Sequence, residues 1–496
     1  MNLADGQWHR LHPATPLLRG GIAFVAVIGV LLANFRERLA DFVTGAPGYQ
    51  GDPVDYIIDH GLLPLGLLVV IAVLTLFVGF FYLSWRMHTF RITDELVEVR
   101  SGVIVRTDRK ARLDRIQGIS LARSWFARVF GAAKLEISVA GQDANVSLAY
   151  LNGTTADELR LEILRLASGT RQAAARATAP TGGLVEKRLA EFTAPELDPQ
   201  LASSPASVVT MNPARLIGST LLSSGFIFFV LGITALLTAA SLGHTGLVAI
   251  AIIPMIFGLG SFIGNRVVKS LRYSIAATPD GVRVGFGLIS TSNETIPPGR
   301  VHAIAVSQPL LWRPADWWTV RINVASHSNA KGAAGQHNTT ILPVGTRADA
   351  LKVLELVLPG IVSDDTRELA AAGLSDGGGF TTSPRRAAVV RWLSWKRNGF
   401  ALRPDAVVLR RGIIWRELVV VPTPRMQSVE LEQGPLLRLL RLATVRMHTV
   451  SGPVIAKLGG VDQDAAAGFL RDVESTALVA MQTDGSHRWR AGEAPA

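Results

Sequence analysis

The stretch Phe90-Arg-Ile-Thr-Asp-Glu-Leu-Val97, continued by Gly102-Val-Ile and Arg115-Ile-Gln117, decides the fold because the chain contains it three times. The second copy has Tyr273, Gly287 and Arg300-Val-His302, and the third has Phe400, Gly412 and Arg425-Met-Gln427. In each copy 13 residues separate the glycine from the arginine, and 13 more lead to a further arginine, at Arg128, Arg313 or Arg438. Two equal spacings in three places indicate an internal repeat.

Each copy alternates apolar and polar residues, as in Lys134-Leu-Glu-Ile-Ser-Val139, and this period is typical of half-buried antiparallel strands. The shared glycine falls between two such runs, where we expect a turn. Each copy then ends on a helical pattern, which Thr346-Arg-Ala-Asp349 introduces as a capping box in the second copy. The repeat therefore predicts a small β-barrel or sandwich with one C-terminal helix, defined by Gly102, Gly287, Gly412, Arg300 and Arg425.

Long uncharged runs predict membrane-spanning helices. No charged residue occurs from Gly61 to Trp85, or from Leu216 to Asn265, and the second run is about twice the length that one crossing needs. A weaker run from Gly20 to Phe35 adds a first span, for which a cleaved signal peptide is the alternative. We therefore predict an α+β membrane protein with four transmembrane helices in two hairpins, at 17–36, 61–85, 214–241 and 245–265.

Charge predicts the orientation of these hairpins. The loop from Arg36 to His60 holds two arginines, whereas Arg86 to Arg115 holds eight cations, and cations collect on the cytoplasmic side. We expect a multi-pass protein of the cell (inner or plasma) membrane, with its N-terminus and its β-rich domains in the cytoplasm. Those domains are predicted at 86–168, 268–360 and 400–480, with linkers at 169–210 and 361–384 and a basic, tryptophan-containing interfacial segment at 385–399.

Taken with the segment Trp125-Phe-Ala-Arg128-Val-Phe-Gly131, these motifs resemble the bacterial pleckstrin-homology (PH) domain of the YdbS- and YdbT-like multi-domain membrane proteins. The resemblance covers most of the chain. It implies PH-like barrels of two packed antiparallel sheets, each capped by a helix and tethered to the membrane. It also implies a smaller single-domain member of the same family as a partner. The second copy departs from the pattern, with His302 in place of glutamine and Asp316 in place of Gly131.

The residue types argue against catalysis and against cofactors. The chain has no cysteine, which excludes disulfides, zinc–thiolate sites and thiol nucleophiles. It has no phosphate-binding loop, metalloprotease motif or nucleophile elbow. His302, His327 and His337 match no metal-ligand spacing, so structural histidines are the favoured interpretation. We therefore expect no enzyme activity, no cofactor, no metal and no small-molecule substrate. The formal net charge of +11 suits nucleic acid as well as an anionic membrane, and the apolar runs favour the membrane.

Two basic clusters are candidate contacts for lipid headgroups or for a partner. One comprises Arg106, Arg109, Lys110, Arg112 and Arg115, and the other comprises Arg391, Trp392, Trp395, Lys396 and Arg397. For the repeated arginines Arg115, Arg300 and Arg425, a buried ion pair inside each domain is the favoured interpretation and a lipid phosphate is the alternative. For the segment 385–399, packing on a neighbouring barrel is the alternative. The favoured hypothesis is a non-enzymatic membrane scaffold that binds lipid headgroups or partner proteins, in envelope stress or membrane protection. The alternative is an accessory or regulatory subunit of a transport or export system.

Overall fold

The computed structural model describes residues 5–13, 15, 63–102, 106–139, 145–167, 208–243, 245–278, 281–288, 290–297, 299–325, 339–358 and 363–483. The predicted first span, 17–36, lies outside the described residues. Contacts divide the chain into two compact units. The first comprises Met1–Leu113, Arg123–Glu136 and Val146–Glu162, and the second comprises Asp114–Ala122, Ile137–Asn145 and Ile163–Ala496.

The first copy of the repeat follows a short strand and a long helix. Its elements are β1 (His9–Arg10), α1 (Leu63–Arg86), β2 (Thr89–Ile92), β3 (Leu96–Ser101), β4 (Thr107–Arg112), β5 (Ile116–Arg123), α2 (Trp125–Val129), β6 (Ala132–Val139), β7 (Val146–Asn152) and α3 (Gly153–Ala167). In the first unit, β1 to β4 form an antiparallel sheet in chain order. Trp85, at the end of α1, donates its indole N–H to the carbonyl of Leu11 (2.9 Å), which holds the segment after β1 against the helix.

The second copy follows a strand and three helices. Its elements are β8 (Val208–Thr210), α4 (Pro213–Leu221), α5 (Ser224–Ser241), α6 (Thr245–Ser270), β9 (Ser274–Thr278), β10 (Gly281–Phe286), β11 (Thr291–Ile296), β12 (Val301–Pro309), β13 (Trp317–Val324), β14 (Thr340–Thr346) and α7 (Arg347–Val357). The capping box predicted at Thr346 and Asp349 is present at the start of α7.

The third copy has the same order of strands. Its elements are α8 (Asp364–Leu374), β15 (Thr381–Thr382), α9 (Ala388–Arg391), β16 (Gly399–Leu402), β17 (Ala406–Arg411), β18 (Trp415–Pro422), β19 (Ser428–Glu432), α10 (Pro435–Leu439), β20 (Leu442–His448), β21 (Ala456–Asp462) and α11 (Gln463–Thr483). Asp462 begins α11 by accepting hydrogen bonds from the backbone N–H groups of Asp464 and Ala465. The three copies confirm multiple PH-like β domains, each followed by a helix.

Neighbouring copies share sheets in the second unit. Strand β5, from the first copy, lies beside β11 of the second in the order β5-β11-β10-β9-β8. The next sheet runs β14-β13-β12-β18-β17-β16-β15, so β12 of the second copy pairs with β18 of the third. That pair is antiparallel, with Ala305 opposite Val419. The third copy closes with the sheet β19-β20-β21. The fourth strand of a copy therefore pairs with the third strand of the copy after it.

Among the described residues, two large apolar cores lie against these sheets. One packs strands of the second copy with α7, with Leu369 and Leu374 of α8, and with Val408 and Val420 of the third copy. The other packs the third copy around Phe469 of α11, whose ring meets Phe400 edge to face at 4.8 Å. Because Ala303 and Ala305 of β12 belong to that second core, the junction is part of the interior of both domains.

The predicted third span, 214–241, is wrong as one helix. Ser223 interrupts it by accepting a hydrogen bond from the N–H of Phe226, and so begins α5. The segment before the break, α4, folds onto the second PH-like domain: Leu216 is buried with Trp312 and Val344, and Arg215 pairs with Asp349 at 3.1 Å. The break in the helix has a local cause. The Ser223 side chain caps the helix that follows, and the segment before it packs on a folded domain, although the whole run is apolar in composition.

One helix within the described residues, Ser224–Ser241, is long and apolar enough to cross a membrane, so four spans are not confirmed. It turns at Gly243, whose φ is +87°, into Thr245–Ser270, where a hairpin joint was predicted. The two helices of this hairpin contact each other through Phe229 and Phe262, whose ring centroids are 5.8 Å apart. The absence of a side chain at Gly225 leaves space for the Phe262 ring.

The predicted linker 361–384 is also wrong in its described part. Residues Asp364–Leu374 form α8, because Ser363 caps the helix and Asp405 accepts hydrogen bonds from the N–H of Ser363 and the hydroxyl of Thr366. Its apolar face is buried. Of the other predicted linker, 169–210, only strand β8 lies within the described residues.

Candidate functional site

A cavity of about 800 Å³ lies between the helical hairpin and the second and third PH-like domains, all within the second unit. Its first wall is the start of α5, with Ser223, Ile227, Phe228 and Leu231. Phe228 is 73% exposed, and no residue of this helix is buried. The wall is therefore an apolar helix face that only a membrane or another apolar molecule would cover.

The opposite wall belongs to the second PH-like domain, and its polar side chains are hydrogen-bonded to the backbone. Tyr273 is buried, stacks on Phe286 at 5.6 Å and donates its hydroxyl to the carbonyl of Thr340. Burial, with the Glu294 carboxylate as a second cause, raises the pKa of Tyr273 well above its ordinary value, so its hydroxyl is a permanent donor. Thr319 is fixed in the same way by its bond to the carbonyl of Leu342 (3.0 Å). These groups hold the shape of the cavity.

Two arginines give the cavity positive charge. Arg266, near the end of α6, is half-buried and has no ion pair with any residue that the structure describes. Arg321 on β13 lies 3.8 Å from Glu417, a long contact, and its Nε is buried without a hydrogen-bond partner. Apolar walls with guanidinium groups suit an amphiphilic anion, because a guanidinium donates two parallel hydrogen bonds to a phosphate.

The mouth of the cavity is apolar because of the junction between β12 and β18. Pro309 lies opposite Trp415 in that pair, which brings Leu310 and Leu311 beside Ile414 and Trp415. All four large side chains of this mouth are exposed, Trp415 at 61%. An exposed tryptophan among aliphatic side chains is typical of the headgroup layer of a membrane.

The first predicted basic cluster divides between the two units. Arg106 and the cations of β4, which are Arg109, Lys110 and Arg112, are exposed in the first unit, and Arg115 is exposed in the second. Lys110 and Arg91 both pair with the buried Glu98, at 2.9 and 2.6 Å. The hydrogen bond from Lys110, helped by Arg91, holds the pKa of Glu98 below its ordinary value although burial raises it. Lys110 is therefore committed to an ion pair in the fold.

The second predicted cluster, 385–399, contains both surface and interior residues. Arg397 is buried, pairs with Asp376 and donates to the carbonyl of Gly373, and burial lowers its pKa to about 10. Arg391 and Lys396 are exposed, Trp395 is half-buried beneath the Lys396 ammonium, and Trp392 is 76% exposed. The packing alternative is wrong for Trp392, Val389 and Leu393, because all three side chains are exposed.

The repeat-defining residues occupy equivalent places. Gly102, Gly287 and Gly412 all have positive φ, at +109°, +107° and +77°, in the turn before the third strand of each copy. Arg300 donates to the carbonyl of Asp114, so it lies at the junction of the first two copies. Arg425 lies near enough to Arg300 to lower its pKa, although burial is the larger cause. His302, beside both arginines, has its pKa lowered to about 4, mainly by burial. His327 and His337 lie outside the described residues.

Sequence reasoning missed Arg266 and Arg321 as site residues. Arg266 directly follows the uncharged run from Leu216 to Asn265, and Arg321 lies 55 residues further along the chain. The only signal was the charge of Arg266 at the end of a long apolar run.

Comparison with known proteins agrees with this architecture. The family model described as the bacterial PH domain matches residues 39–167, 226–361 and 362–476. The chain is also 22% identical over 282 residues to the UPF0699 transmembrane protein YdbT of Bacillus subtilis (strain 168). The aligned region covers 53% of this chain. The chain spans about half the length of that curated relative (54%).

The three matches cover well over half of the chain, and each falls on one copy of the repeat. This chain therefore belongs to the bacterial PH domain family, as the resemblance of its motifs indicated.

Proposed function

We propose that this chain is a non-enzymatic multi-pass membrane protein whose cytoplasmic PH-like domains form a scaffold that holds the headgroup of an anionic phospholipid. The observation that carries this proposal is the cavity beside α5, in which Arg266 and Arg321 lie among apolar walls. The lipid phosphate accepts from the guanidinium groups, and an acyl chain follows Ile227, Phe228 and Leu231. A setting in envelope stress or membrane protection suits such a scaffold.

A membrane location supports the proposal independently. Helix α5 is long enough to cross a bilayer, and the matched relative is named a transmembrane protein. The segment 385–399 adds a surface contact, because Val389, Trp392 and Leu393 are exposed apolar side chains and Arg391 and Lys396 are exposed cations. Each cation near an anionic leaflet contributes on the order of 1 kcal/mol. The proposal therefore places two lipid contacts on the second and third PH-like domains.

The alternative, a transport or export accessory, depends on a polar stripe along the helices. The hydroxyls of Ser219 and Thr220 both donate to the carbonyl of Leu216, and Thr234 donates to Val230. Because these hydroxyls of the described helices are bonded within their own helices, they support the transport alternative less well than the scaffold. We therefore place the scaffold first.

Retention of lipid by the purified full chain tests the proposal. The protein would be reconstituted in nanodiscs with equal amounts of phosphatidylglycerol and phosphatidylcholine, released into detergent, and the retained lipid counted by native mass spectrometry. We expect preferential retention of phosphatidylglycerol, and a loss of roughly tenfold or more in that preference for Arg266→Gln. The reason is that a hydrogen bond to a charged group contributes about 1.5–3 kcal/mol.

The control is Arg471→Gln, which removes an equal charge from an exposed position on α11. It should leave retention unchanged. Equal retention of the two lipids by the wild type, or equal loss for Arg266→Gln and Arg471→Gln, would contradict a headgroup site in this cavity.

A further inference from the structure

Inside this chain, PH-like domains join by one rule. The fourth strand of the first copy, β5, lies beside the third strand of the second, β11, and the fourth strand of the second copy, β12, pairs with the third strand of the third copy, β18. Within the part of the chain that the structure describes, one third strand and one fourth strand still lie at the edge of a sheet. Among the described residues, the third strand of the first copy, β4, pairs only with β3, and the fourth strand of the last copy, β19, pairs only with β20.

We infer that β19 of one molecule pairs with β4 of a second copy of the same chain, and so repeats between molecules the junction found within each molecule. This inference does not depend on the lipid cavity, which neither strand lines.

The backbone of both strands is suited to this pairing. An edge strand carries a row of N–H and C=O groups on its open side that can extend the sheet. Most residues of β4 are exposed, and β19 is partly exposed along its whole length. In addition, α10 next to β19 presents Leu436 and Leu439, the latter 81% exposed. Leu436 stands in the position of Leu311, 11 residues after the repeated arginine, and Leu311 lies beside the next domain in the internal junction.

The internal junction also fixes the register of the proposed one. Ala305 lies opposite Val419 in the pair of β12 with β18. Glu430 follows Arg425 by the same five residues as Ala305 follows Arg300, and Arg109 follows Gly102 by the same seven residues as Val419 follows Gly412. The transferred register therefore places Glu430 of one molecule opposite Arg109 of the next.

Charge selects this pairing over the competing ones. Strand β4 carries Arg109 and Arg112, together with Asp108 and with Lys110, which is paired with Glu98. Strand β19 carries Glu430 and Glu432, and Glu432 is paired with Lys457. Opposite charges across a strand pair stabilise it and like charges destabilise it, so β4 would not pair well with β4, nor β19 with β19. Glu430 is half-exposed and bonds to the His448 ring on β20, 2.8 Å away, an exposed contact that leaves its second oxygen available for an arginine. The contact is therefore head-to-tail, which builds a ring or an extended row of molecules.

Cysteine cross-linking tests the inference directly, because the chain has no native cysteine. Two full-length variants with different tags, Glu430→Cys and Arg109→Cys, would be co-expressed, and membranes would be oxidised. Directly opposite residues of an antiparallel pair have Cα atoms about 4.5–5.5 Å apart, a separation that a disulfide can bridge. We expect a disulfide-linked species that contains both tags.

The control replaces Glu430→Cys by Glu474→Cys, an exposed position on α11, and should give no linked species. Maleimide labelling of each variant in the same membranes shows that the cysteines are accessible. Accessible cysteines with no link between 430 and 109, or links as frequent in the control, would overturn the inference.

A charge exchange gives a second measurement on the purified chain. Self-association, followed by light scattering against concentration, should weaken by roughly fivefold for Glu430→Arg, and Arg109→Glu in the same chain should restore it. A monomer at all concentrations for the wild type would exclude a second copy as the occupant of these edges. Association that is unchanged by either variant would place the contact elsewhere.

Discussion

Asn323 ties the end of β13 in the second copy to the loop before β21 in the third, and its removal gives a testable loss of local stability. The side chain is 1% exposed. Its amide N–H group donates to the carbonyls of Val454 (2.7 Å) and Val450 (3.2 Å), and its oxygen accepts from the N–H of Val454 (2.8 Å). In Asn323→Ala these buried backbone groups lose their partner. We expect a cost of about 2–4 kcal/mol, since an orphaned buried polar group costs about 1–3 kcal/mol.

Gly452 offers a matched second change, because a Cβ at that position would lie 2.2 Å from the Asn323 side-chain oxygen. Gly452→Ala alone should therefore destabilise the same loop by about 1–3 kcal/mol through overpacking. In the Asn323→Ala background that oxygen is gone, so the second substitution should cost much less. The two changes must be strongly non-additive.

Amide hydrogen exchange read by mass spectrometry on peptides from 442–458 suits this cycle, because it reports the free energy of local opening in the full chain. The four proteins are the wild type, the two single variants and the double variant. Costs that add within about 0.5 kcal/mol would refute the reasoning, since additivity is expected only of residues without a shared contact.

The remaining predictions concern two departures of the second copy from the repeat. The folded pKa of His302 is about 4 and its ordinary value is 6.5, so the stability it contributes is complete above 6.5 and is lost as pH falls from 6.5 towards 4, by up to about 3 kcal/mol. His302→Gln, which restores the residue of the other copies, should remove that part of the pH dependence in hydrogen exchange of β12, and an unchanged slope would contradict it. Asp316 has φ +49°, where the first copy has Gly131 at +63° and the third has Arg441 at +50°. Asp316→Asn, which keeps the acceptor for the Trp318 indole N–H (2.8 Å), should be tolerated. Asp316→Val should lower the thermal midpoint, through a backbone cost of about 1–2 kcal/mol and through the loss of that hydrogen bond, and equal midpoints for the two variants would argue against it.

The sequence predicted those parts of the fold that leave a local pattern. Gly102, Gly287 and Gly412 mark the turns because each needs a positive φ, and the residues between them alternate with the strand period. The capping box at Thr346 and the joint at Gly243 were likewise predictable, because turn and cap chemistry depends on neighbouring residues.

Other parts depend on contacts between distant segments and left no such pattern. The pairing of β12 with β18 is set by two surfaces about a hundred residues apart, and the cavity depends on it. The break at Ser223 was hidden inside an uncharged run, because hydropathy does not register a serine cap. Helix α8 was missed for a different reason: its alanines and its glycine are typical of a linker, and only the contacts of the folded domain bury its apolar face.

Because neighbouring copies share sheets, the unit that repeats in the sequence is not the unit that forms one sheet in the fold. The segment that was duplicated in the sequence runs from one first strand to the next C-terminal helix. The hydrogen-bonded sheet instead consists of the second half of one such segment and the first half of the next. The boundaries of the sheets are therefore shifted by half a domain from the boundaries of the repeated segments. For this reason Asp114–Ala122 belongs to the second compact unit although it lies in the first copy. A cut at a repeat boundary therefore divides a sheet, so each copy depends on its neighbour for a complete interior.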